Sequence, residues 1–441
     1  MILGIDLGTS KVAAVILDEA GELRAARSAG HGAEVDAGAG RYEQEPEKIA
    51  AAARLLVRDL PAELRAQVRA IGVSGQMHGM MLVDGAQRPV ANLITWQDGR
   101  CSEQNFLQAL AHRTGYTLST GFGMASLAWL GVHGELPETA EQGCTLQDWF
   151  VARLTGRRAL TDPTDGASWG FFDLKTLKWD WGAIQAAGVD PKLVPEVLPC
   201  GTAAGNLTAQ AAAELGVPAR VPVAVAIGDN QASLLATLQN PETELALTLG
   251  TGGQLSAVRP AGTPIDFPRR PARFEYRPFP GGRYALVASA LCGGSAWNWL
   301  ADTAAGWLQD LGGQAPPREE LFERLNRLGL AATRTFILNP NFLGERIAPE
   351  IRGTMAGLTL ENFSLGELAR SLARGIAWNL KSMLPDDIVS RRQRVVGSGN
   401  ALRQNELLRV MAQELFGLPL LLSPYQEEAA CGAALLAKNI T

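Results

Sequence analysis

Ile2-Leu3-Gly4-Ile5-Asp6-Leu7-Gly8-Thr9-Ser10 opens the chain, and every later motif takes its meaning from it. Ile2, Leu3 and Ile5 predict a short apolar strand with a single acid, Asp6, at its end. Leu7-Gly8-Thr9-Ser10 turns the chain, and the apolar run at residues 12–17 returns. A glycine turn between strands lets backbone N–H groups approach a ligand with no Cβ in the way. Such groups, flanked by small hydroxyls, suit phosphate oxygens. A carboxylate would repel those oxygens unless a cation sat between them. Asp6 therefore points to a magnesium-bound nucleotide.

The phrase recurs at residues 245–258, Leu-Ala-Leu-Thr-Leu-Gly-Thr-Gly-Gly-Gln-Leu-Ser-Ala-Val. Leu249-Gly250-Thr251 repeats Leu7-Gly8-Thr9, but Thr248 stands where the first copy has Asp6. Two copies imply two related domains, each offering a phosphate-facing hairpin to a shared cleft. A chain of 441 residues is long enough for two or three domains.

Composition narrows the function classes. Apolar residues make up 46% and charged residues 19%, as in soluble globular proteins. A net charge of −5 gives no electrostatic case for nucleic acid or an anionic membrane. Cys101, Cys144, Cys200, Cys292 and Cys431 are odd in number and lack metal-ligand spacing, so reduced thiols and a cytoplasmic location are expected. No signal or transit segment and no membrane-spanning run is expected either.

Along the chain, Tyr42-Glu43-Gln44-Glu45-Pro46-Glu47 leads into a helix over 48–60, with Pro46 in its first turn. The run at 68–74 predicts a buried strand entering Gly75-Gln76-Met77-His78-Gly79, a position where α/β proteins place ligand contacts. His78 there fits a structural hydrogen bond or a contact to a ligand hydroxyl. Thr95-Trp96-Gln97-Asp98-Gly99-Arg100 sets a ring beside directional polar groups, as sugar sites do. The same residues also fit a surface turn with a buried Trp96 and an Asp98–Arg100 ion pair. Thr120-Gly121-Phe122-Gly123 and Ala167-Ser168-Trp169-Gly170-Phe171-Phe172 are expected loops.

The run at 222–227 predicts another buried strand, followed by Gly228-Asp229-Asn230 and a helix over 232–238. Asp229 fits either a helix cap or a catalytic base. Residues 259–283, rich in Pro, Arg and Gly, predict loop and short strand, and Leu343-Gly344-Glu345-Arg346 a charged turn. Ser364-Leu365-Gly366-Glu367 is a capping box opening a helix with Leu365, Leu368, Leu372, Ile376 and Leu380 on one face. Arg394-Val395-Val396 leads into Gly397-Ser398-Gly399-Asn400, where a flat base or a phosphate can approach the backbone. A last helix over 427–438 carries the small residues Ala429-Ala430-Cys431-Gly432-Ala433-Ala434.

Taken in order, Gly-Ile-Asp-Leu-Gly-Thr-Ser, Tyr-Glu-Gln-Glu-Pro-Glu, Gly-Asp-Asn at 228–230, Leu-Gly-Thr at 249–251, Gly-Ser-Gly-Asn at 397–400 and Glu-Glu-Ala-Ala-Cys-Gly-Ala-Ala near the end resemble the FGGY carbohydrate kinases. The resemblance covers essentially the whole chain. It implies an α/β fold of two actin/hexokinase-like (ribonuclease H-like) domains around a central cleft, expected at residues 1–240 and 241–441. The first would hold the sugar site and first phosphate loop, the second the second phosphate loop and adenosine site. It implies ATP and Mg2+, transfer to the terminal hydroxyl of a ketose, and a monomer or homodimer. By resemblance, Asp229 is the general base, and Asp6 with Asp229 holds the metal. Met77, His78, Trp96, Asp98, Arg100, Asp229 and Asn230 border the sugar. Thr9, Ser10, Lys11, Gly250 and Thr251 face the phosphates, and Gly399 and Asn400 the adenosine.

Within the family, Ile94–Cys101, Thr120–Gly123 and Ala167–Phe172 most resemble the branch acting on sedoheptulose, and Ser382-Met383-Leu384-Pro385 also fits. Gly75–Gly79 also occurs in the branch acting on xylulose. Glycerol-phosphorylating members carry an Arg-Glu pair where Met77-His78 stand, which disfavours glycerol. The second domain is short for the family, and Gly252-Gly253 replaces more polar residues. Chaperones and sugar sensors share the fold, but no segment is left over for a peptide-binding appendage or a DNA-binding module.

Overall fold

The computed structural model describes residues 1–103, 105–267, 272–345 and 348–440, so Arg346 and residues 268–271 lie outside the described residues. The chain forms two compact units. One comprises Met1–Ala236, Arg277–Gly282 and the chain from Glu427 onward; the other comprises Thr237–Tyr276 and Arg283–Gln426.

The first unit is built on seven strands: β1 Ile2–Leu7, β2 Lys11–Leu17, β3 Leu23–Gly30, β4 Ala70–Gly75, β5 Ala203–Asn206, β6 Pro222–Ala224 and β7 Ile227–Gly228. Their order is β5-β6-β4-β1-β2-β3, with β7 also beside β4. The β1–β2–β3 pairings are antiparallel, and β1–β4, β4–β6 and β4–β7 are parallel. Every residue of β1 and β4 is buried, as expected of central strands covered on both faces.

A six-stranded sheet, in the second unit but for Arg277 onward in β10, repeats this wiring with β8 Glu244–Leu249, β9 Gly253–Arg259, β10 Phe274–Phe279, β11 Arg283–Ala290, β12 Arg394–Ser398 and β13 Leu420–Leu422, in the order β10-β11-β9-β8-β12-β13. Here β8–β9–β11 is antiparallel, and β8–β12 and β12–β13 are parallel. Thus β11-β9-β8-β12-β13 copies β3-β2-β1-β4-β6 strand for strand, with Leu-Gly-Thr in the first hairpin of each.

Helices cover the sheets. Helix α1, Pro46–Arg58, starts at the expected proline and buries Ile49, Ala50, Ala53 and Val57. Helix α2 is Pro163–Trp169, α3 is Asp229–Thr237, α4 is Leu365–Lys381 and α5 is Glu428–Ala437. The Ser364/Glu367 capping box opens α4, which buries Leu368, Leu372, Ile376 and Leu380. Two expectations are corrected. Residues 167–169 end a helix because Asp162 caps α2 and Pro163 occupies its first turn, a start signal present in the sequence. The run at 222–227 is two strands because Val223 pairs with Ile71 and Ile227 with Ser74. Four steps on one strand there match three on the other, and the extra residue breaks the ladder.

The last helix, α5, lies in sequence within 241–441 but packs on the first sheet. Gly4 and Gly72 make this possible on the strands, and Gly432 lets α5 approach α3 as closely. A Cβ at Gly4 would fall 2.0 Å from the Ala430 carbonyl oxygen, one at Gly72 1.9 Å from that of Ala433, and one at Gly432 1.7 Å from that of Ala232. Backbone lies against backbone there, so a methyl group cannot be absorbed by a side-chain rotation. Gly72→Ala should therefore lower unfolding stability by about 1–3 kcal/mol or more. An unchanged denaturation midpoint would show that α5 does not dock this closely.

Candidate active site

Register brings the first acids together. In the parallel ladder Asp6 faces Ser74 and Leu7 faces Gly75, while Ile227 faces Ser74 and Gly228 faces Gly75. The carboxyl ends of β1, β4 and β7 therefore lie at one level, and Asp229 follows directly as the first residue of α3. Ser74 Oγ donates to Asp6 Oδ1 at 2.9 Å. Burial first, and then the charge of Asp229, push Asp6 up to about 7, against the Ser74 hydrogen bond. Burial pushes Asp229 up to about 6, against the Asn230 amide and the Arg277 charge, which lower it. Two desolvated carboxylates, one of them raised further by the other's charge, form a hard-oxygen donor set that suits a divalent cation. Among the described residues no three His, Cys, Asp or Glu groups converge as metal ligands. A magnesium ion would thus take most of its shell from water and phosphate.

The β1–β2 turn is held by side chains from elsewhere. The Thr9 carbonyl accepts from Gln44 Nε2 at 2.7 Å and faces His31 Nε2 at 2.9 Å. Gln76 Nε2 donates to Gln44 Oε1 at 2.9 Å, and Trp96 Nε1 donates to Thr9 Oγ1 at 3.0 Å. Gln44 and Gln76 thus shape the turn, although neither was singled out from sequence beyond the motifs containing it. Ser10 is exposed. Lys11 Nζ pairs with Glu427 at 2.6 Å, which occupies the cation expected to face phosphate.

On the sugar side, the structure gathers Met77, His78 and Asp229 through Gly228 and α2. Met77 is buried against Gly228, where a Cβ would lie 2.9 Å from Met77 Cγ and Sδ. His78 has φ +72°, and its ring stacks on Phe122 at 4.4 Å. Its amide donates to Ser168 Oγ at 3.1 Å, and Nδ1–H donates to the Ser168 carbonyl at 2.7 Å. In the neutral ring Nε2 is then the unprotonated nitrogen. Asn230, partly buried, follows Asp229 in α3.

Trp96 is 41% exposed, not buried. Asp98 and Arg100 form the ion pair that their spacing also allowed. Both are buried, and Asp98 accepts from the Tyr42 amide at 2.8 Å, the Arg100 amide at 2.9 Å, and Arg100 Nε and Nη2 at 2.8 and 3.0 Å. Arg100 also reaches Glu43 at 2.6 Å. Those bonds fill the carboxylate's acceptor positions, so the pair braces the turn that presents Trp96.

In the second unit, Thr248 faces Ser398 in the β8–β12 ladder, and their hydroxyls are 2.7 Å apart. This neutral pair stands where the first unit has Asp6 and Ser74. Gly250 and Thr251 are exposed at the β8–β9 turn, and their carbonyls accept the Gly294 and Gly293 amides at 2.7 and 3.0 Å. Gly399 has φ +85°, and a Cβ there would fall 2.4 Å from the Leu249 carbonyl oxygen. Asn400 is exposed at the start of the next helix.

Beneath the first site lie Asp148, Asp162 and Asp165, all fully buried. Burial pushes Asp148 up to about 7 and Asp162 up to about 6, and raises Asp165 well above the carboxylate range. Acids with raised native pKa values stabilise the fold fully below about pH 4 and lose that contribution as pH rises through 6–7. Melting temperature should therefore fall between pH 5 and 8. Asp148→Asn, neutral throughout, should flatten the fall by on the order of 5 °C. Identical slopes for both proteins would remove Asp148 from this balance.

Comparison with known proteins agrees with this architecture. The N-terminal domain of the FGGY family of carbohydrate kinases matches residues 1–236, and its C-terminal domain matches residues 245–438. A sedoheptulokinase of Mus musculus is 33% identical, covering 98% of this chain and 96% of its own. A xylulose kinase of Lactococcus lactis is 25% identical, covering 99% and 87%. The crystal structure of a xylulose kinase from Rhodospirillum rubrum superposes with a TM-score of 0.84 at 25% identity, covering 99% of this chain and 89% of that one. The fold is accordingly actin/hexokinase-like, the five cysteines are free thiols, and no helix among the described residues is long and apolar enough to cross a membrane. With both of its domains matched in order, this sugar kinase belongs to the FGGY family of carbohydrate kinases.

Proposed function

We propose that the protein transfers the terminal phosphoryl group of ATP to the terminal hydroxyl of a ketose, with sedoheptulose as the preferred acceptor and sedoheptulose 7-phosphate as product. The observation that carries the reaction is the meeting of Asp6 and Asp229 at the ends of parallel strands. A sugar hydroxyl is a poor nucleophile at neutral pH. Asp229, pushed up to about 6, is ionised there yet basic enough to accept the hydroxyl proton as the bond to phosphorus forms. Asp6 and Asp229 are the residues that would hold magnesium, which when bound neutralises phosphate charge. Met77 and His78 would orient the ketose, and Trp96 would offer a ring face. The backbone of residues 8–10, and of Gly250 and Thr251, would meet the phosphates, with Gly399 and Asn400 bordering the adenosine. Phosphoryl transfer depends mainly on such positioning and charge compensation.

The choice of sedoheptulose rests on the mouse relative and on residues 94–101 and 167–172. The alternative, xylulose, is favoured by the relatives of that name and by the shared Gly75–Gly79 motif. Assayed with MgATP against sedoheptulose, xylulose, ribulose, fructose and glycerol, the enzyme should show its highest kcat/KM on sedoheptulose. Equal or better turnover of xylulose would defeat the substrate assignment and leave the family.

Asp229→Asn keeps size and capping ability but cannot take the proton. Its kcat should fall by about 10²–10⁴, with sugar Kd and melting temperature near wild type. Wild-type turnover in this variant would exclude Asp229 as base.

A further inference from the structure

We infer that helix α2 sets the position of Asp229 relative to His78, with Thr164 as the positioning residue; the inference rests on the reading of Asp229 as base. A hydroxyl has one proton, and that of Thr164 is committed to Asp162 Oδ1 at 2.5 Å. The same oxygen accepts the amides of Thr164 and Asp165 at 2.8 and 3.1 Å, which locks the first turn of the helix. The Thr164 oxygen is therefore left as an acceptor, and it receives the buried Gly228 amide at 2.9 Å.

Gly228 is the residue before Asp229. It lies in a strand of two residues, just past the break in the β6–β7 run, where little ladder remains to hold it. Thr164 supplies the missing restraint on one side, and Met77 closes the other.

One helical turn further on, Ser168 holds His78 through both its hydroxyl and its carbonyl, and donates to the Asp165 carbonyl at 2.8 Å. Residues four apart on a helix share a face, about one 5.4 Å pitch from each other. Thr164 and Ser168 thus tie the base and the histidine to one rigid turn. Misplacement of a reacting group by about 1 Å costs on the order of 10²-fold in rate.

The test is a double-mutant cycle on the full-length enzyme, read as kcat and KM with MgATP and sedoheptulose (xylulose if the panel prefers it), plus melting temperature. T164V removes the acceptor at constant shape and should lower kcat about 10-fold or more, leaving the KM for ATP unchanged. T164S keeps donor and acceptor and should recover most of the rate. In the D229N background, adding T164V should cost less than about 2-fold, because the group it positions no longer takes the proton.

Equal losses from T164V in both backgrounds, or T164V turnover at the wild-type rate, would overturn the positioning role. Wild-type turnover by D229N would instead overturn the base assignment on which it rests, so the two failures are distinguishable. If T164V does not fold, T164A is read in the same cycle. Failure of both to fold beside a normal T164S would make Thr164 structural and also overturn the inference.

Discussion

Parallel strands that end at one level impose the central constraint on this protein. They set Asp6 and Asp229, acids from opposite halves of the sequence, close enough for the Asp229 charge to raise Asp6 where water is scarce. Burying a carboxylate costs several kcal/mol unless a cation or hydrogen bonds compensate it. Ser74 compensates part of the Asp6 charge, and a hard cation with phosphate oxygens would compensate the remainder. The neighbouring features serve the same arrangement. The glycine turn leaves backbone N–H groups at the strand end, the Gln44–Gln76 bridge fixes that turn, and the one-residue break before β7 lets Asp229 start a helix instead of continuing a strand.

The second unit shows the same wiring with different chemistry. Thr248 and Ser398 share a hydrogen bond where the first unit has Asp6 and Ser74, so the corresponding strand ends are neutral. A neutral pair needs no counter-charge and can meet phosphate or sugar oxygens through hydroxyls alone. One topology thus carries an acidic end in one copy and an uncharged one in the other.

Close approach of backbones is the other structural demand. Helix α5 lies on β1 and β4 at glycine-to-carbonyl distances, which requires Gly4 and Gly72 on the strands and Ala430, Ala433 and Ala434 on the helix. The strand carrying Asp6 is thereby fixed from below by the end of the chain, and Lys11 adds an ion pair to Glu427 at its edge. The small residues near the terminus act through what they allow to approach, not through apolar area.

Much of this was legible in the sequence because local chemistry was sufficient for it. The two Leu-Gly-Thr hairpins, the Pro46 helix start, the Ser364/Glu367 capping box and the apolar face of α4 depend on neighbours within a few residues, and they stand as expected. Asp6, Met77, His78 and Asp229 could be nominated from sequence because each lies at or just past the end of a buried strand near glycine. The registers were not legible, because pairing of Asp6 with Ser74 and of Gly228 with Gly75 is decided by the whole sheet. Nor was the inward turn of Asp98 and Arg100, which follows from the Tyr42 amide and Glu43 arriving from another segment. The roles of Thr164 and Ser168 depend on Gly228 and His78, partners 64 and 90 residues away. Sequence determined which groups this protein can use; tertiary structure decided which of them meet, because a hydrogen bond acts over about 3 Å and the chain reveals only spacing along itself.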